Sequence, residues 1–75
     1  MSIFDNIYYR SEIKYLGKIW LVAAIWPLAE EEINTHSIQL VRKVSEEEYE
    51  ATEIVASEEE FIQMLRDKVV SFHIN

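Results

Sequence analysis

Hydrophobic and polar positions fall into four short runs of β character and one run at helical spacing. Residues 7–15, Ile-Tyr-Tyr-Arg-Ser-Glu-Ile-Lys-Tyr, are rich in aromatic and β-branched side chains and partly alternate. Residues 18–26, Lys-Ile-Trp-Leu-Val-Ala-Ala-Ile-Trp, are almost wholly apolar. Leu16 and Gly17, the only glycine, stand between them. This pattern predicts a β-hairpin with a two-residue turn.

A two-residue loop pairs Tyr15 with Lys18, Ile13 with Trp20, Ser11 with Val22 and Tyr9 with Ala24. One face of the hairpin then carries Ile7, Tyr9, Ile13, Tyr15, Trp20, Val22 and Trp26. The other sets Tyr8, Arg10, Glu12 and Lys14 beside Ile19, Leu21, Ala23 and Ile25. A three-residue loop would oppose Lys14 and Lys18, an unfavourable like-charge pair. It would also exchange the two faces of the second strand.

Pro27 closes the second strand, because proline cannot donate to a central ladder. Residues 29–36 read as a polar connection. Ser37–Val44 alternates and predicts a third strand. Ser45-Glu46-Glu47-Glu48 reads as a turn, or as one helical turn. Tyr49–Ala56 predicts a fourth strand, since Thr52, Ile54 and Val55 favour β structure.

Ser57-Glu58-Glu59-Glu60 is a capping box, with Ser57 as N-cap and Glu60 three residues on. Phe61, Ile62, Leu65, Val69 and Phe72 recur at helical spacing. Together they predict a helix over 58–72. A single helix over 46–72, able to form a coiled coil, is the rival. It draws on Ala51, Val55, Ile62, Leu65, Val69 and Phe72 and on the lack of Gly or Pro after Pro27. The β-branched cluster and the internal Ser-x-x-Glu start count against it.

The expected fold is α+β, one domain over residues 1–75. A four-stranded, mostly antiparallel sheet carries one C-terminal helix on one face, in the order ββββα. The helix is expected over Trp20, Val22 and Trp26. The stripe Ile19, Leu21, Ala23 and Ile25 then stays exposed in a monomer. Exposed apolar patches of that kind mark interfaces, so a homodimer or a protein partner is expected there. A fold-over of the N-terminal segment or of residues 29–36 is the alternative cover.

Charge adds a second surface. The 75 residues hold 7 basic and 14 acidic side chains, net −7. Residues 30–60 alone hold eleven glutamates against Arg42 and Lys43. Three triplets stand out: Glu30-Glu31-Glu32, Glu46-Glu47-Glu48 and Glu58-Glu59-Glu60. Each alone is a solvated loop or helix start, where the helix dipole favours acids. Gathered on one side, Glu30, Glu31, Glu32, Glu46, Glu47, Glu48, Glu58 and Glu59 would form an acidic partner-binding surface. Such a charge disfavours direct contact with nucleic-acid phosphates.

Candidate chemistry is sparse. There is no cysteine and no Gly-x-Ser-x-Gly elbow. His36 reads as an exposed loop residue beside Ser37, and His73 as a residue at the helix end. No His-Glu-x-x-His or calcium-loop spacing occurs. No catalytic residue, metal ligand or cofactor is assigned, and Trp20 and Trp26 read as core rather than a base-stacking platform. The longest apolar run, 19–29, is shorter than a membrane span and interrupted by Pro27. No leader pattern is visible, so a cytoplasmic protein is expected (in the host cytoplasm if virus-encoded).

The expected function is a non-enzymatic protein-binding module. Its sharper form is an acidic, nucleic-acid-mimicking inhibitor of a basic nucleic-acid-binding target. In size, acidity and compactness alone the chain resembles small virus-encoded inhibitors, including anti-CRISPR proteins. The alternative is a homodimeric structural or scaffold subunit of a larger assembly. A small enzyme or metal sensor using His36 or His73 ranks third.

Overall fold

The computed structural model describes residues 3–8, 10–28 and 35–73. A 3-10 turn at Ile3–Asn6 leads into β1 (Glu12–Tyr15), β2 (Lys18–Pro27), β3 (His36–Lys43), β4 (Tyr49–Ala56), α1 (Glu58–Arg66) and β5 (Val70–Phe72). The strands form one antiparallel sheet in the order β4-β3-β2-β1-β5. The fold is α+β as expected, with a fifth strand added to the predicted four.

The hairpin turns where its sequence says. Tyr15 pairs with Lys18 and Ile13 with Trp20. Leu16 and Gly17 both have positive φ, 56° and 73°. That is the backbone of a primed turn, whose twist matches the strands it joins. Beyond Glu12 the pairing changes. Val22 N–H donates to the Ser11 carbonyl, and Arg10 N–H donates to the Val22 carbonyl. Two residues therefore face one, and Arg10 takes φ 71° to make this bulge. The predicted first strand over 7–15 is thus cut back to Glu12–Tyr15. Ile7 is still buried, but it reaches the core from outside the sheet. The expected Tyr9–Ala24 pair involves Tyr9, which lies outside the described residues.

A second bulge redirects β2. Val22 pairs with Leu40, yet Ala24 pairs with Gln39, leaving Ala23 extra. One extra residue exchanges the faces of everything that follows. Ile25 therefore pairs with Ile38 and packs against the core. Trp26 pairs with Ser37 and is exposed. Both residues stand opposite to expectation, because unbroken alternation does not survive Ala23-Ala24.

The helix starts as predicted and stops early. Glu60 N–H donates to Ser57 Oγ at 3.1 Å, and Ser57 N–H donates to Glu60 Oε1 at 2.8 Å. At the far end Lys68 N–H donates to the Leu65 carbonyl and Val69 N–H to that of Met64. This is a Schellman ending, with Lys68 at φ 60° in the place glycine usually fills. Val70–Phe72 then pairs with β1 instead of continuing the helix to 72. β-branched Val69 and Val70 favour that outcome, and the free edge of β1 supplies the hydrogen bonds. Val69 is left exposed, while Val70 is fully buried. The rival helix over 46–72 is excluded, since Tyr49–Ala56 is β4. β3 runs one residue earlier than predicted, so His36 is a strand residue. It is half-buried, and its ring stacks on Phe4 at 4.1 Å between centroids. His73 follows a strand rather than a helix, and its N–H donates to the Glu12 carbonyl.

α1 leaves β4 at one edge of the sheet and delivers β5 to the other. It crosses a single face on the way. Phe61, Ile13, Ile38, Leu40, Val22 and Val70 are fully buried there, closed at one end by Phe4. Burial of each large apolar side chain stabilises the fold by about 1.5–3 kcal/mol. Among the described residues no helix is long and apolar enough to cross a membrane.

Candidate protein-binding surface

With one helix for two faces, the second face of the sheet is left open. Strand pairing and alternation place Ile19, Leu21, Ala24 and Trp26 of β2 on it. Val41 of β3 and Ala51 and Val55 of β4 lie beside them. Ile19 is 39% exposed, Leu21 40%, Trp26 43% and Val55 52%. Large apolar side chains held half out of a sheet at adjacent positions form a patch, not scattered singles.

A polar bar, hydrogen-bonded within itself, crosses the patch. Ser37 Oγ donates to Glu53 Oε2 at 2.9 Å. Gln39 Nε2 donates to Glu53 Oε2 at 2.5 Å and to Ser37 Oγ at 2.9 Å. Oε2 of the Glu53 carboxylate thus accepts two hydrogen bonds from within the chain. A covering surface would not have to supply those hydrogen bonds, which lowers the desolvation cost of covering it.

Of the four predicted interface residues, Ile19 and Leu21 are on this face, and Ala23 is exposed at the bulge. Ile25 is not; it belongs to the core side. Trp26, Val41 and Val55 were missed. Trp26 needed the bulge to be seen. Val41 and Val55 were legible, since each neighbours a core residue (Leu40, Ile54) in an alternating strand.

The acidic residues form a rim rather than a cluster. Glu46, Glu47 and Glu48 lie in the β3–β4 turn. Glu58, Glu59 and Glu60 open α1 at the other end of β4. Eight strand residues at about 3.3 Å each separate the two groups by roughly 25 Å. Glu50 and Glu53 lie between them on β4, which is an edge strand. Glu30, Glu31 and Glu32 lie outside the described residues. Glu50 is not free: Lys18 Nζ stands 3.0 Å from its carboxylate, and Arg42 donates to the same oxygen. These two cations hold its pKa below the ordinary value of 4.5. Arg42 also lies over the Trp20 ring, 5.8 Å from its centroid. Charged side chains along an edge strand also deter edge-to-edge pairing.

An open depression of about 570 Å³ lies where β1 and β5 meet the end of α1. Lys14, Tyr15, Lys68 and Ser71 line it, with no histidine or carboxylate among its lining residues. Among the described residues no three His, Asp or Glu side chains gather where they could hold a metal ion. His36 is in β3 and His73 follows β5.

No protein-family model, no curated protein and no solved structure matches this chain.

Proposed function

We propose that this protein is a non-enzymatic protein-binding module whose open sheet face docks against another protein surface. One observation carries the reading: Ile19, Leu21, Trp26 and Val55 stand half-exposed on one face while the core lies wholly on the other. None of these four side chains belongs to the buried core. They are therefore available to a partner, at about 25 cal/mol for each Å² of apolar surface removed from water. A photo-cross-linking amino acid at Leu21, in cells making the protein, tests it. A protein adduct is expected there and not from the same group at Gln63 on the exposed side of α1. No adduct from Leu21, Ile19 or Trp26 would end this reading.

A second reading keeps the acidic inhibitor. It is favoured by the glutamates set at both ends of β4 and along it. Electrostatic docking onto a basic groove would be fast and strongly salt-sensitive. Association indifferent to salt would count against it.

A further inference from the structure

We propose that the occupant of the open face is a second copy of this chain, packed sheet on sheet about a twofold axis running along the strands between β2 and β3. The inference rests on the reading of that face as an interface and names its partner.

Three properties of the face select a second copy. The first is area. The molecule measures 40 × 25 × 18 Å, and the shortest dimension matches a sheet with one helical layer. A face of 40 by 25 Å, taken as an ellipse, is on the order of 800 Å². That is about what one partner contributes to a standard stable interface. The second is twist. Two sheets pack face to face when their twists match, at roughly −30°. A copy brings a sheet of identical twist.

The third is charge. The β4 edge carries Glu46, Glu47 and Glu48 at one end and the acidic start of α1 at the other. On the far side of the sheet Lys14 of β1 and Lys68 after α1 line one depression, with Glu12 on the same face of β1 as Lys14. An axis along the strands lays the Glu46, Glu47 and Glu48 end of each β4 over Lys14 of the partner, an attraction that Glu12 offsets in part. An axis across the strands would stack acidic edge on acidic edge, which like-charge repulsion opposes. The same repulsion works against pairing β4 to β4 in one continuous sheet. In the favoured arrangement β2 of one copy covers β3 of the other. Leu21 and Val41, paired neighbours in the chain, then sit at the centre of the contact.

Light scattering after size exclusion, over a dilution series, tests this. The wild-type chain is expected at twice its 8.9 kDa. Leu21→Glu is expected at the monomer mass with an unchanged circular dichroism spectrum. Val55→Lys serves if Leu21→Glu does not fold. Lys14→Glu, at the rim, is expected to weaken the dimer about tenfold, roughly 1.4 kcal/mol. A wild-type monomer overturns the second copy, while the photo-adduct at Leu21 still decides whether the face binds something else. A dimer indifferent to Leu21→Glu and Val55→Lys places the contact elsewhere and overturns it too. A dimer tightened or untouched by Lys14→Glu overturns the edge-over-edge arrangement.

Discussion

Trp20 and Trp26 lie on opposite faces of β2, although an even number of positions separates them. Trp20 pairs with Ile13 and is buried, with its indole N–H donated to the Tyr15 carbonyl at 2.8 Å. Trp26 pairs with Ser37 on the open face. An unbroken strand repeats every two residues and would put both on one side. The extra residue at Ala23 is what parts them. It also makes the binding face: the same residues in an unbulged ladder would point Trp26 at the helix and Ile25 at solvent.

Deleting Ala23 should therefore be tolerated. The ladder closes over the gap, with Ala24 still opposite Gln39 and Ile25 still opposite Ile38, so every side chain keeps its face. In a strand without a bulge the same deletion would turn Ile25 out of the core and Trp26 into it, losing about 2 kcal/mol of burial and adding about 1–3 kcal/mol of overpacking. Denaturant unfolding of the deletion variant should show a loss well below about 3 kcal/mol. A loss of that size or more would mean that β2 has no bulge.

The β1–β2 turn offers a prediction of opposite sign at adjacent residues. Leu16 holds φ 56°, a conformation that a branched apolar residue adopts only with strain. Leu16→Asn should stabilise the chain by about 0.5–1 kcal/mol, because Asn tolerates the left-handed region and suits this turn. Gly17→Ala should cost about 1 kcal/mol. A Cβ on Gly17 would meet nothing within 4 Å, so that cost is conformational and not steric crowding. Thermal melts of the two single variants should move in opposite directions.

Lys68 holds the third such position, after α1. Its φ of 60° completes the Schellman ending that turns the chain into β5. Lys68→Gly should raise stability by about 0.5–1 kcal/mol, offset in part by the freer unfolded chain. Lys68→Val should lower it by more than 1 kcal/mol, since a β-branched side chain suits that region least. Equal melting temperatures for the two variants would show that the helix does not end in this way.

What could be read from the sequence was local and periodic. The register of the hairpin followed from Leu16-Gly17 and from the Lys14–Lys18 clash. The bounds of β4 followed from its β-branched residues, and the helix start from Ser57 and Glu60. What could not be read depended on departures from periodicity or on distant partners. Ala23-Ala24 carries no glycine or proline to announce a bulge. Lys68 does not look like a helix stop. Val69 and Phe72 fit helical spacing from Phe61 as well as they fit a short strand. Only the vacant edge of β1, more than fifty residues back, decides between them. The acidic surface was legible as composition alone, because its placement depends on where β4 sits in the sheet.

Acid should weaken this fold through two identifiable carboxylates. Glu60 is held below its ordinary pKa of 4.5, first by the Ser57 backbone N–H and then by the Ser57 hydroxyl. Glu50 is held below it by its hydrogen bonds to Lys18 and Arg42. A carboxylate with a depressed folded pKa binds its proton more readily in the unfolded chain. Its contribution is therefore fully present above pH 4.5 and is lost as pH falls through the folded value. Glu60→Gln and Glu50→Gln should each be less stable than the parent at neutral pH. The gap should close as pH drops below 4.5, because the parent's carboxylates are then protonated as well. Both groups are exposed, so each gap should be small and that of Glu50 should also shrink with added salt. Denaturant unfolding of the parent and both variants between about pH 7 and about pH 3 measures this, a range that brackets the ordinary value of 4.5. A gap that persisted unchanged at the acid end would assign the loss to side-chain shape and not to charge.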